Sequence, residues 1–370
     1  MHEYFLRLHF VQAERRVLGR AAVLRLIGLG LAIVLSPAGS GCRGRGGPPA
    51  DSTALGGSGG TTISGIGAPD GGNFPGVNNP ALPGLNADPQ IALFDGVFYI
   101  YPTTDGFPNW GSPSFSAFSS TNLVQWTNRG VILDLPTALT WAIDRAWAPS
   151  IARIDSTYFF YFCAAQKIGI ATSTSPTGPF EDALGHPLID TNQYGTQSID
   201  PYVFLDDDGA AYLYFGSGPG GLRMAKLDSD MLSLSEAPSN ISPANATGVL
   251  EGSVMFKRNQ DYYLQWSEGD TRLASYQVAY ARAKSPRGPF TRIGPILQQD
   301  VTLGILATGG NTVLAIPARD EYYLVYHRFK IDGGDGTHRE TCIDRMYFDS
   351  DGAILPVAPS REGLQAGVLP

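Results

Sequence analysis

The chain has 370 residues, of which 43% are hydrophobic and 16% are charged, so it has enough apolar material to bury a globular core. Its formal net charge is −8 at pH 7. An acidic surface repels phosphate backbones and anionic headgroups, which argues against nucleic acid and the membrane surface as partners of the folded part.

Residues 1–41 have the composition of a secretory signal peptide. An apolar run from Leu26 to Leu35 follows several arginines and precedes the small residues that lead to Cys42. The run is too short to span a bilayer. The small residues also resemble a bacterial lipoprotein cleavage site, at which Cys42 would be lipidated, although Gly39 stands where such sites usually have Leu. Ordinary cleavage is the alternative, so we expect a secreted protein or one anchored to the cell envelope only through Cys42.

Residues 42–80 are rich in Gly, Pro and Ser, which predicts a flexible tether because such a segment buries too little surface to offset its ordering entropy. After residue 80 no convincing amphipathic helix appears, and short β-branched and aromatic runs alternate with turn residues. We therefore expect residues 81–370 to form a single all-β domain that folds alone as a monomer. Cys163 and Cys342 are predicted to be buried thiols.

One strand–turn–strand pattern recurs five times along this domain. Its clearest copy has strands at Tyr202–Leu205 and Ala211–Phe215 around the turn Asp207-Asp208-Gly209, where glycine tolerates a tight reversal. The copies begin near residues 88, 147, 200, 251 and 310. A period of roughly 50–60 residues with several strands in each unit is typical of propeller blades.

Each repeat has a second half, with a shorter strand and a turn. The run Ile168–Thr172 precedes the turn Ser175–Phe180, and Val278–Ala283 precedes the similar turn Ser285–Phe290. Four strands in each repeat fit a blade, and closing the blades into a ring removes exposed sheet edges. The sequence therefore predicts a single five-bladed β-propeller of four-stranded antiparallel blades over residues 81–370.

The first strand of each blade should lie innermost, so the residues at its start should converge on one face of the central channel. These residues are Asp88, Trp147, Asp200, Glu251 and Gly310. Three carboxylates around a channel suit glycoside hydrolysis, in which one deprotonates water, another protonates the leaving oxygen and a third raises the pKa of the acid. The alternative is that these acidic residues only cap strand starts by binding backbone amides.

Several motifs together resemble glycoside hydrolase family 43 over the whole chain after the tether. They are Ala87-Asp88-Pro89, Trp147-Ala148-Pro149, Ser198-Ile199-Asp200-Pro201, Glu251-Gly252-Ser253, Tyr326-His327-Arg328 and Ile343-Asp344-Arg345-Met346-Tyr347-Phe348. The resemblance implies a five-bladed propeller that removes arabinose, xylose or galactose units from polysaccharides with inversion. It also implies that Asp88 is the general base, Glu251 the general acid, and Asp200 the residue that tunes and orients the acid.

The last blade departs from the family pattern. Family members commonly have a Gly-His pair whose imidazole helps to hold a metal ion or water in the channel, whereas this chain has Gly309-Gly310 followed by Asn311. The missing imidazole argues against a channel calcium, so we predict no metal and no cofactor, with Asn311 as the residue that could compensate. His327, within an aromatic strand, is either a hydrogen-bonded core residue or a ligand.

The other substrate-binding candidates are aromatic or cationic. Trp147 is expected to form the floor of the sugar pocket, because a flat ring packs on the C–H face of a sugar. Trp110 could line an outer subsite, and the planar fork of Arg339 suits sugar hydroxyls. The alternatives are a surface salt bridge for Arg339 and plain packing for Trp110 and Trp266.

Two other functions are weighed against this one. Retaining propellers that act on fructans carry Arg before the middle Asp-Pro and Cys after the acid, whereas this chain has Ile199 and Gly252 there. A catalytically inactive sugar-binding propeller lipoprotein is the second, since fold does not fix function. Among activities, an exo-acting α-L-arabinofuranosidase comes first, a β-galactofuranosidase or other galactan-directed enzyme second, and a β-xylosidase third.

Overall fold

The computed structural model describes residues 78–365. The predicted signal peptide over residues 1–41, the lipidation site at Cys42 and the predicted tether up to residue 77 lie outside the described residues. Between residues 78 and 365, no helix is both long and apolar enough to cross a lipid bilayer.

The described chain is built of short strands in five groups. In chain order they are β1 Asn86–Phe94, β2 Val97–Thr104, β3 Ser114–Ser120 and β4 Thr127–Asp134; β5 Trp147–Ile154, β6 Thr157–Ala164, β7 Lys167–Ser173 and β8 Glu181–Asp182; β9 Tyr202–Leu205, β10 Ala211–Phe215, β11 Arg223–Lys226 and β12 Ser239–Asn240; β13 Leu250–Arg258, β14 Asp261–Glu268, β15 Gln277–Ala283 and β16 Arg292–Leu297; and β17 Gly309–Ile316, β18 Glu321–Phe329 and β19 Arg339–Met346. The α-helix α1 covers Leu135–Ala138, and 3-10 turns lie at Pro108–Trp110, Gln193–Gly195, Gly218–Gly220 and Pro317–Arg319.

These strands form five antiparallel sheets, which confirms the predicted five-bladed propeller. Strands pair in chain order within each sheet, and the first strands of successive blades contact one another in a ring in which β17 returns to β1. Blade five differs from the prediction of four strands, because its sheet contains only β17, β18 and β19 among the described residues.

The segment 78–81 covers the outer edge of β19 in place of a fourth strand; we call this contact the seam. The Ala81 N–H donates to the carbonyl oxygen of Thr341 at 2.8 Å. The side chain of Asn79, only 2% exposed, accepts the Ile343 N–H at 2.8 Å. Packing of the propeller therefore already includes residues 78–80, which the sequence assigned to the tether.

The segment that follows β19 also forms hydrogen bonds with the residues of the seam. The Asn78 N–H donates to the carbonyl oxygen of Glu362 at 2.9 Å. Further back, the Val357 N–H donates to the carbonyl oxygen of Ile296 on the outer strand of blade four at 2.7 Å. The two ends of the described chain therefore lie side by side at blade five.

Each inner strand begins beside a residue in the left-handed region. The φ values are +45° at Asp88, +39° at Ala148, +56° at Asp200, +60° at Gly252 and +52° at Gly310. In blades one, two, four and five the register with the second strand shifts across this residue, as in a β-bulge. We call this feature the inner bulge. It re-aims side chains at the channel mouth, and aspartate and glycine are residues that tolerate its φ.

Tyrosine hydroxyls tie neighbouring blades together. Tyr101 of blade one donates to the carbonyl oxygen of Pro176 in blade two at 2.7 Å. Tyr214 of blade three donates in the same way to Pro286 in blade four at 2.8 Å. Both acceptors lie in the two similar turns noted in the sequence, so these turns are points where one blade is fixed to the blade before it.

Candidate active site

A cavity of about 580 Å³ opens at the channel mouth and is lined by side chains from all five blades. It brings together the three predicted catalytic residues and four of the predicted binding residues. These are Asp88, Asp200 and Glu251 with Trp110, Trp147, Asn311 and Arg339. The inner bulge places Asp88 and Asp200 at equivalent positions, whereas Trp147 and Glu251 stand one residue earlier in their blades.

Trp266, predicted as a binding residue, lies outside this cavity. It is 0% exposed and packs in the core between blades three and four, where its indole N–H donates to Glu268 at 3.1 Å. The prediction of a sugar contact is corrected, because the alternation of side chains along β14 turns this ring into the core. Cys163 and Cys342 are buried free thiols, as predicted.

His327 also lies outside the cavity lining, which corrects its place among the binding residues. The side chain is 0% exposed and its Nδ1 lies 3.1 Å from Oδ1 of Asp88 and 3.2 Å from the Asp88 backbone nitrogen. It is therefore a hydrogen-bonded core residue that contacts the predicted base, which was one of the two alternatives for it.

Asp88 is held ionised by its neighbours. Oδ2 accepts the Thr103 hydroxyl at 2.9 Å, and Oδ1 lies 3.3 Å from Nη1 of Arg339. Burial alone would raise the pKa of Asp88, but the charge of Arg339 and the hydrogen bond with His327 outweigh it and hold the pKa well below its usual range. Asp88 is thus a carboxylate at any working pH.

A buried ion pair fixes Arg339 in the cavity wall. The side chain is only 4% exposed, which rules out the surface salt bridge that was its alternative. Nε and Nη2 donate to the two oxygens of Asp105 at 2.8 and 3.1 Å. Sequence reasoning missed Asp105, because a Thr-Asp-Gly turn after a strand gives no signal that its carboxylate points inward. The pair aims the third nitrogen, Nη1, at Asp88.

Glu251 sits between two hydroxyl groups. Tyr276 donates to Oε1 at 2.8 Å, and Ser217 donates to Oε2 at 2.9 Å. Burial raises the pKa of Glu251, and these two hydrogen bonds offset only part of the increase. The negative charge of Asp88 raises it further. Glu251 therefore remains protonated to higher pH than an ordinary glutamic acid, as a general acid requires.

Asp200 shares the electrostatic environment of Glu251. Its Oδ2 accepts the Gly252 backbone N–H at 3.0 Å, which links it to the residue that follows Glu251. Burial raises the pKa of Asp200 well above its usual value, and the charges of Glu251 and Asp88 add to this. Two such carboxyls titrate as a pair, so a proton that they take up belongs to both.

Two tryptophans form the side of the cavity between blades one and two. The Trp147 indole N–H donates to the carbonyl oxygen of Trp110 at 2.6 Å, and the Trp110 indole N–H donates to Gly336 at 2.6 Å. Gly336 belongs to the loop before β19, so these bonds connect blade two to blade five across the loop of blade one. The guanidinium of Arg145 lies 6.0 Å from the Trp147 ring centroid.

Several polar side chains line the cavity without a side-chain hydrogen bond or ion pair to any residue in the range 78–365. Arg145, Gln166 and Gln197 are the long ones among them, and we call these three the polar wall. Arg145 and Gln166 lie on adjacent loops, since the Ala165 N–H donates to the carbonyl oxygen of Asp144 at 3.1 Å. Both have left-handed φ values, +58° and +61°, a strained backbone that clusters at functional sites. Sequence reasoning missed all three.

The channel mouth does not fit a metal ion held through residue 310. A Cβ atom built on Gly310 would lie 2.5 Å from Oδ1 of Asp88 and 2.5 Å from Nδ1 of His327, so this imidazole fills the space that a ligand side chain would need. The cation Arg339 stands 3.3 Å from the same carboxylate. Across residues 78–365 no three acidic, His or Cys side chains are grouped to hold a metal.

A five-bladed propeller with three half-buried carboxylates at one channel mouth is typical of one class, the propeller glycoside hydrolases. The comparison with protein families agrees with this, because residues 77–354 match the model of glycosyl hydrolases family 43. The chain belongs to glycoside hydrolase family 43. It is an O-glycoside hydrolase that binds oligosaccharide substrates.

Curated relatives share most of the propeller. A β-D-galactofuranosidase of Aspergillus niger is 40% identical over 309 residues, covering 79% of this chain and 88% of the relative. An arabinoxylan arabinofuranohydrolase of Bacillus subtilis is 31% identical over 345 residues, with 78% and 66% covered. A xylosidase/arabinosidase of Humicola insolens is 31% identical over 336 residues, with 74% and 97% covered.

Solved structures show the same fold. The arabinoxylan arabinofuranohydrolase from Bacillus subtilis in complex with cellotetraose superposes with a TM-score of 0.67 at 28% identity, covering 79% of this chain and 69% of that one. A β-xylosidase/α-arabinofuranosidase from a compost metagenome, in complex with xylotriose and in a calcium-free form, gives a TM-score of 0.64 at 29% identity, with 76% and 96% covered.

Proposed function

We propose that this enzyme is an exo-acting, inverting glycosidase that removes terminal β-D-galactofuranosyl units. The observation that carries the substrate is the 40% identity to a β-D-galactofuranosidase over 79% of the chain, against 31% for the arabinofuranohydrolase of Bacillus subtilis. This reverses the order expected from the family resemblance, which put α-L-arabinofuranosyl units first. A single cavity at the channel mouth, lined by residues of all five blades, supports attack on a chain end rather than along a chain.

The mechanism rests on two half-buried carboxyls whose pKa values are shifted in opposite directions. Asp88, whose pKa is held low, accepts a proton from the attacking water, while Glu251, whose pKa is raised, donates one to the departing glycosidic oxygen. In an inverting enzyme these carboxyls stand about 6.5–9.5 Å apart to admit the water. Blades one and four are not neighbours in the ring, which suits that separation.

Arg339 and Asp200 adjust these two groups. The guanidinium of Arg339 keeps Asp88 ionised. The carboxylate is therefore a weak base, but it stays in its basic form as the pH changes. Attack on an oxocarbenium-like centre needs little deprotonation of water before the transition state, so a weak base suffices. Asp200 adds negative charge near Glu251 when ionised and orients the strand start through the Gly252 N–H.

The polar wall suits a sugar with extra hydroxyl groups. Galactofuranose and arabinofuranose share a five-membered ring, but galactofuranose has one more carbon and hydroxyl on its exocyclic chain. A pocket that recognises this chain needs unpaired donors and acceptors, and Arg145, Gln166 and Gln197 supply them. Hydrogen-bonding pockets discriminate strongly against substrates that leave their polar groups unpaired.

The test is a panel of aryl glycosides with one leaving group: β-D-galactofuranoside, α-L-arabinofuranoside, β-D-xyloside and β-D-galactopyranoside. We expect the highest kcat/KM on the galactofuranoside, by about tenfold or more over the arabinofuranoside. Gln166→Ala should reduce that ratio, whereas Gln125→Ala, an exposed glutamine outside the cavity, should not. Preference for the arabinofuranoside in the parent would overturn the proposed substrate.

The stereochemistry needs a separate measurement. Proton NMR of the first-formed sugar should show inverted anomeric configuration, before mutarotation mixes the anomers. Retention would overturn the roles of Asp88 and Glu251, whichever sugar is preferred.

The cellular location is a proposal that rests on sequence alone. We propose export through residues 1–41, with lipidation at Cys42 as the anchor. Palmitate labelling of the full chain, with Cys42→Ala as control, decides between anchorage and secretion. A label that persists in the variant, or no label in the parent, would contradict lipid anchorage through Cys42.

A further inference from the structure

Two adjacent glycines at the start of β17 leave space for two rings. A Cβ atom built on Gly309 would collide with the ring of Tyr276, and one built on Gly310 would lie 2.5 Å from the His327 ring. The space that side chains at these two positions would occupy is therefore filled by other residues. The filling residues come from the loop before β15 and from β18.

The two rings that fill this space are stacked on each other. The centroids of Tyr276 and His327 are 5.9 Å apart and the ring planes differ by only 5°. Tyr276 is 2% exposed and His327 is 0% exposed, so neither can change its position without moving the other or the backbone. We call this pair the ring stack.

Each ring of the stack contacts one of the two working carboxyls. The Tyr276 hydroxyl donates to Glu251 at 2.8 Å. Nδ1 of His327 lies 3.1 Å from Oδ1 of Asp88 and 3.2 Å from its backbone nitrogen. The Asp88 N–H donates to Nδ1, and this nitrogen belongs to the left-handed residue of the inner bulge, so His327 supports the strained conformation from which the carboxylate projects.

We propose that the ring stack is a positioning unit that couples the acid to the base. In this chain the imidazole comes from His327 on the neighbouring strand instead of from residue 310, and its task is to hold Asp88 rather than to ligate a metal. The glycines at 309 and 310 are required by this arrangement, since any side chain there would push the rings apart. The proposal rests on the assignment of Asp88 and Glu251 made above, but not on the identity of the sugar.

The charge state of His327 fits a purely positioning role. Burial and the charge of Arg339 lower the pKa of His327, so the ring is neutral at neutral pH. The groups that face it are Asp88 from β1, Arg339 from β19, Asp105 beyond β2 and Tyr276 in the loop before β15. A neutral ring accepts the Asp88 backbone N–H and adds no charge beside the carboxylate.

The first experiment is a double-mutant cycle with Tyr276→Leu and His327→Leu, read as kcat on an oligosaccharide that the parent turns over, because its leaving group needs the proton of Glu251. Each single change should reduce kcat about tenfold or more with little effect on KM, and the double variant should lose no more than about threefold beyond the worse single one. The control cycle pairs Tyr276→Leu with Thr103→Val, which removes a donor to Asp88 outside the stack and should be additive. Additive losses in both cycles would overturn the coupling.

The second experiment separates positioning from simple packing. Tyr276→Phe keeps the stack but removes the donor to Glu251, so the alkaline limb of the pH profile should move to higher pH because that hydrogen bond lowers the pKa of Glu251. His327→Gln should retain more kcat than His327→Leu at a similar melting temperature, since only glutamine can still accept the Asp88 backbone N–H. An unmoved alkaline limb, or equal kcat in the Gln and Leu variants, would leave the stack as packing only.

These outcomes are distinct from those that test the mechanism. Retained anomeric configuration in the parent would contradict the assignment of Asp88 as base and Glu251 as acid. The ring stack would then have no catalytic groups to couple. Inversion in the parent with additive cycles would remove the coupling alone and leave the mechanism intact.

Discussion

Asp88 and Glu251 are both half-buried carboxyls, yet their environments shift their pKa values in opposite directions. Burial raises the pKa of each, so burial cannot be what separates them. The difference lies in the donors: Asp88 faces the cation Arg339, whereas Glu251 faces only the hydroxyls of Tyr276 and Ser217. A charged neighbour outweighs desolvation where neutral hydrogen bonds do not.

This difference predicts how substrates respond to mutation. Glu251→Ala should reduce kcat/KM on natural oligosaccharides by about 100-fold or more, but far less on aryl glycosides whose leaving groups need no proton. Asp88→Ala should suppress both classes, and azide should restore only a product of inverted configuration. Steady-state kinetics with paired substrates gives the comparison. Equal losses on both classes in Glu251→Ala would contradict its role as acid.

Asp200 predicts a pH dependence of stability. Its pKa is raised by burial and by the charge of Glu251, so the folded state binds its proton more tightly than the unfolded state. The stability from this group is complete below the unfolded pKa of about 3.9 and is lost as pH rises toward the raised folded pKa. Asp200→Asn should therefore melt at a higher temperature than the parent at pH 7, with a difference that vanishes near pH 3.

Thermal melts of the parent and Asp200→Asn between pH 3 and 8 measure this effect. Asp206→Asn is the matched control, because salt bridging to Lys257 and a hydrogen bond from Tyr262 lower the pKa of Asp206, so that its removal should destabilise at pH 7. If the parent melts at a higher temperature than Asp200→Asn at pH 7, the folded state does not disfavour the charged form of Asp200.

At the scale of elements, the repeating pattern was readable from sequence but the strand register was not. The hairpin of blade three, Tyr202–Leu205 and Ala211–Phe215, has the predicted bounds, because a tight turn between aromatic strands is a local signal. The inner bulge, which offsets Glu251 by one residue from Asp88, depends on pairing with the second strand. Tyr276 and His327 belong to the site through packing of distant strands, which periodicity does not encode.

The contacts of the seam predict that one small polar residue, Asn79, contributes much of the stability that closes blade five. Asn79→Ala removes the acceptor for the Ile343 N–H and the donors to Ile343 and Ser360 carbonyl oxygens, and it leaves buried polar groups unpaired. We expect a loss of about 1–3 kcal/mol in the free energy of unfolding. Urea denaturation measures it.

The control for this change is Asn128→Ala. Its side chain also accepts a backbone N–H, from Gly130 at 2.8 Å, but in an exposed position where water replaces the partner. The expected loss there is well below 1 kcal/mol. Equal losses of unfolding free energy in the two variants would show that Asn79 has no special role in closing blade five. A fragment for expression should begin before residue 78 for the same reason.

At the scale of the whole molecule, residues of every blade line the channel mouth, and residue 310 has no side chain to hold a metal. We expect prolonged treatment with a chelator to leave kcat/KM within about twofold of the untreated enzyme, because the ring stack occupies the space that a ligand at position 310 would use. Activity assays before and after dialysis against EDTA decide this. Loss that is reversed only by calcium would show that Asn311 and water rebuild a metal site.

The adjacency of residue 78 to residues 362–364 at blade five has a consequence for the order of the blades along the chain. The Asn78 side chain donates to the carbonyl oxygen of Leu364 at 2.5 Å, so a short linker could join the two ends of the propeller. A circular permutant opened at the exposed Asp207-Asp208 turn would then have a covalent junction where the natural chain has hydrogen bonds. It should bring the same side chains to the channel mouth, because neighbours in the ring matter to the site and their order of synthesis does not.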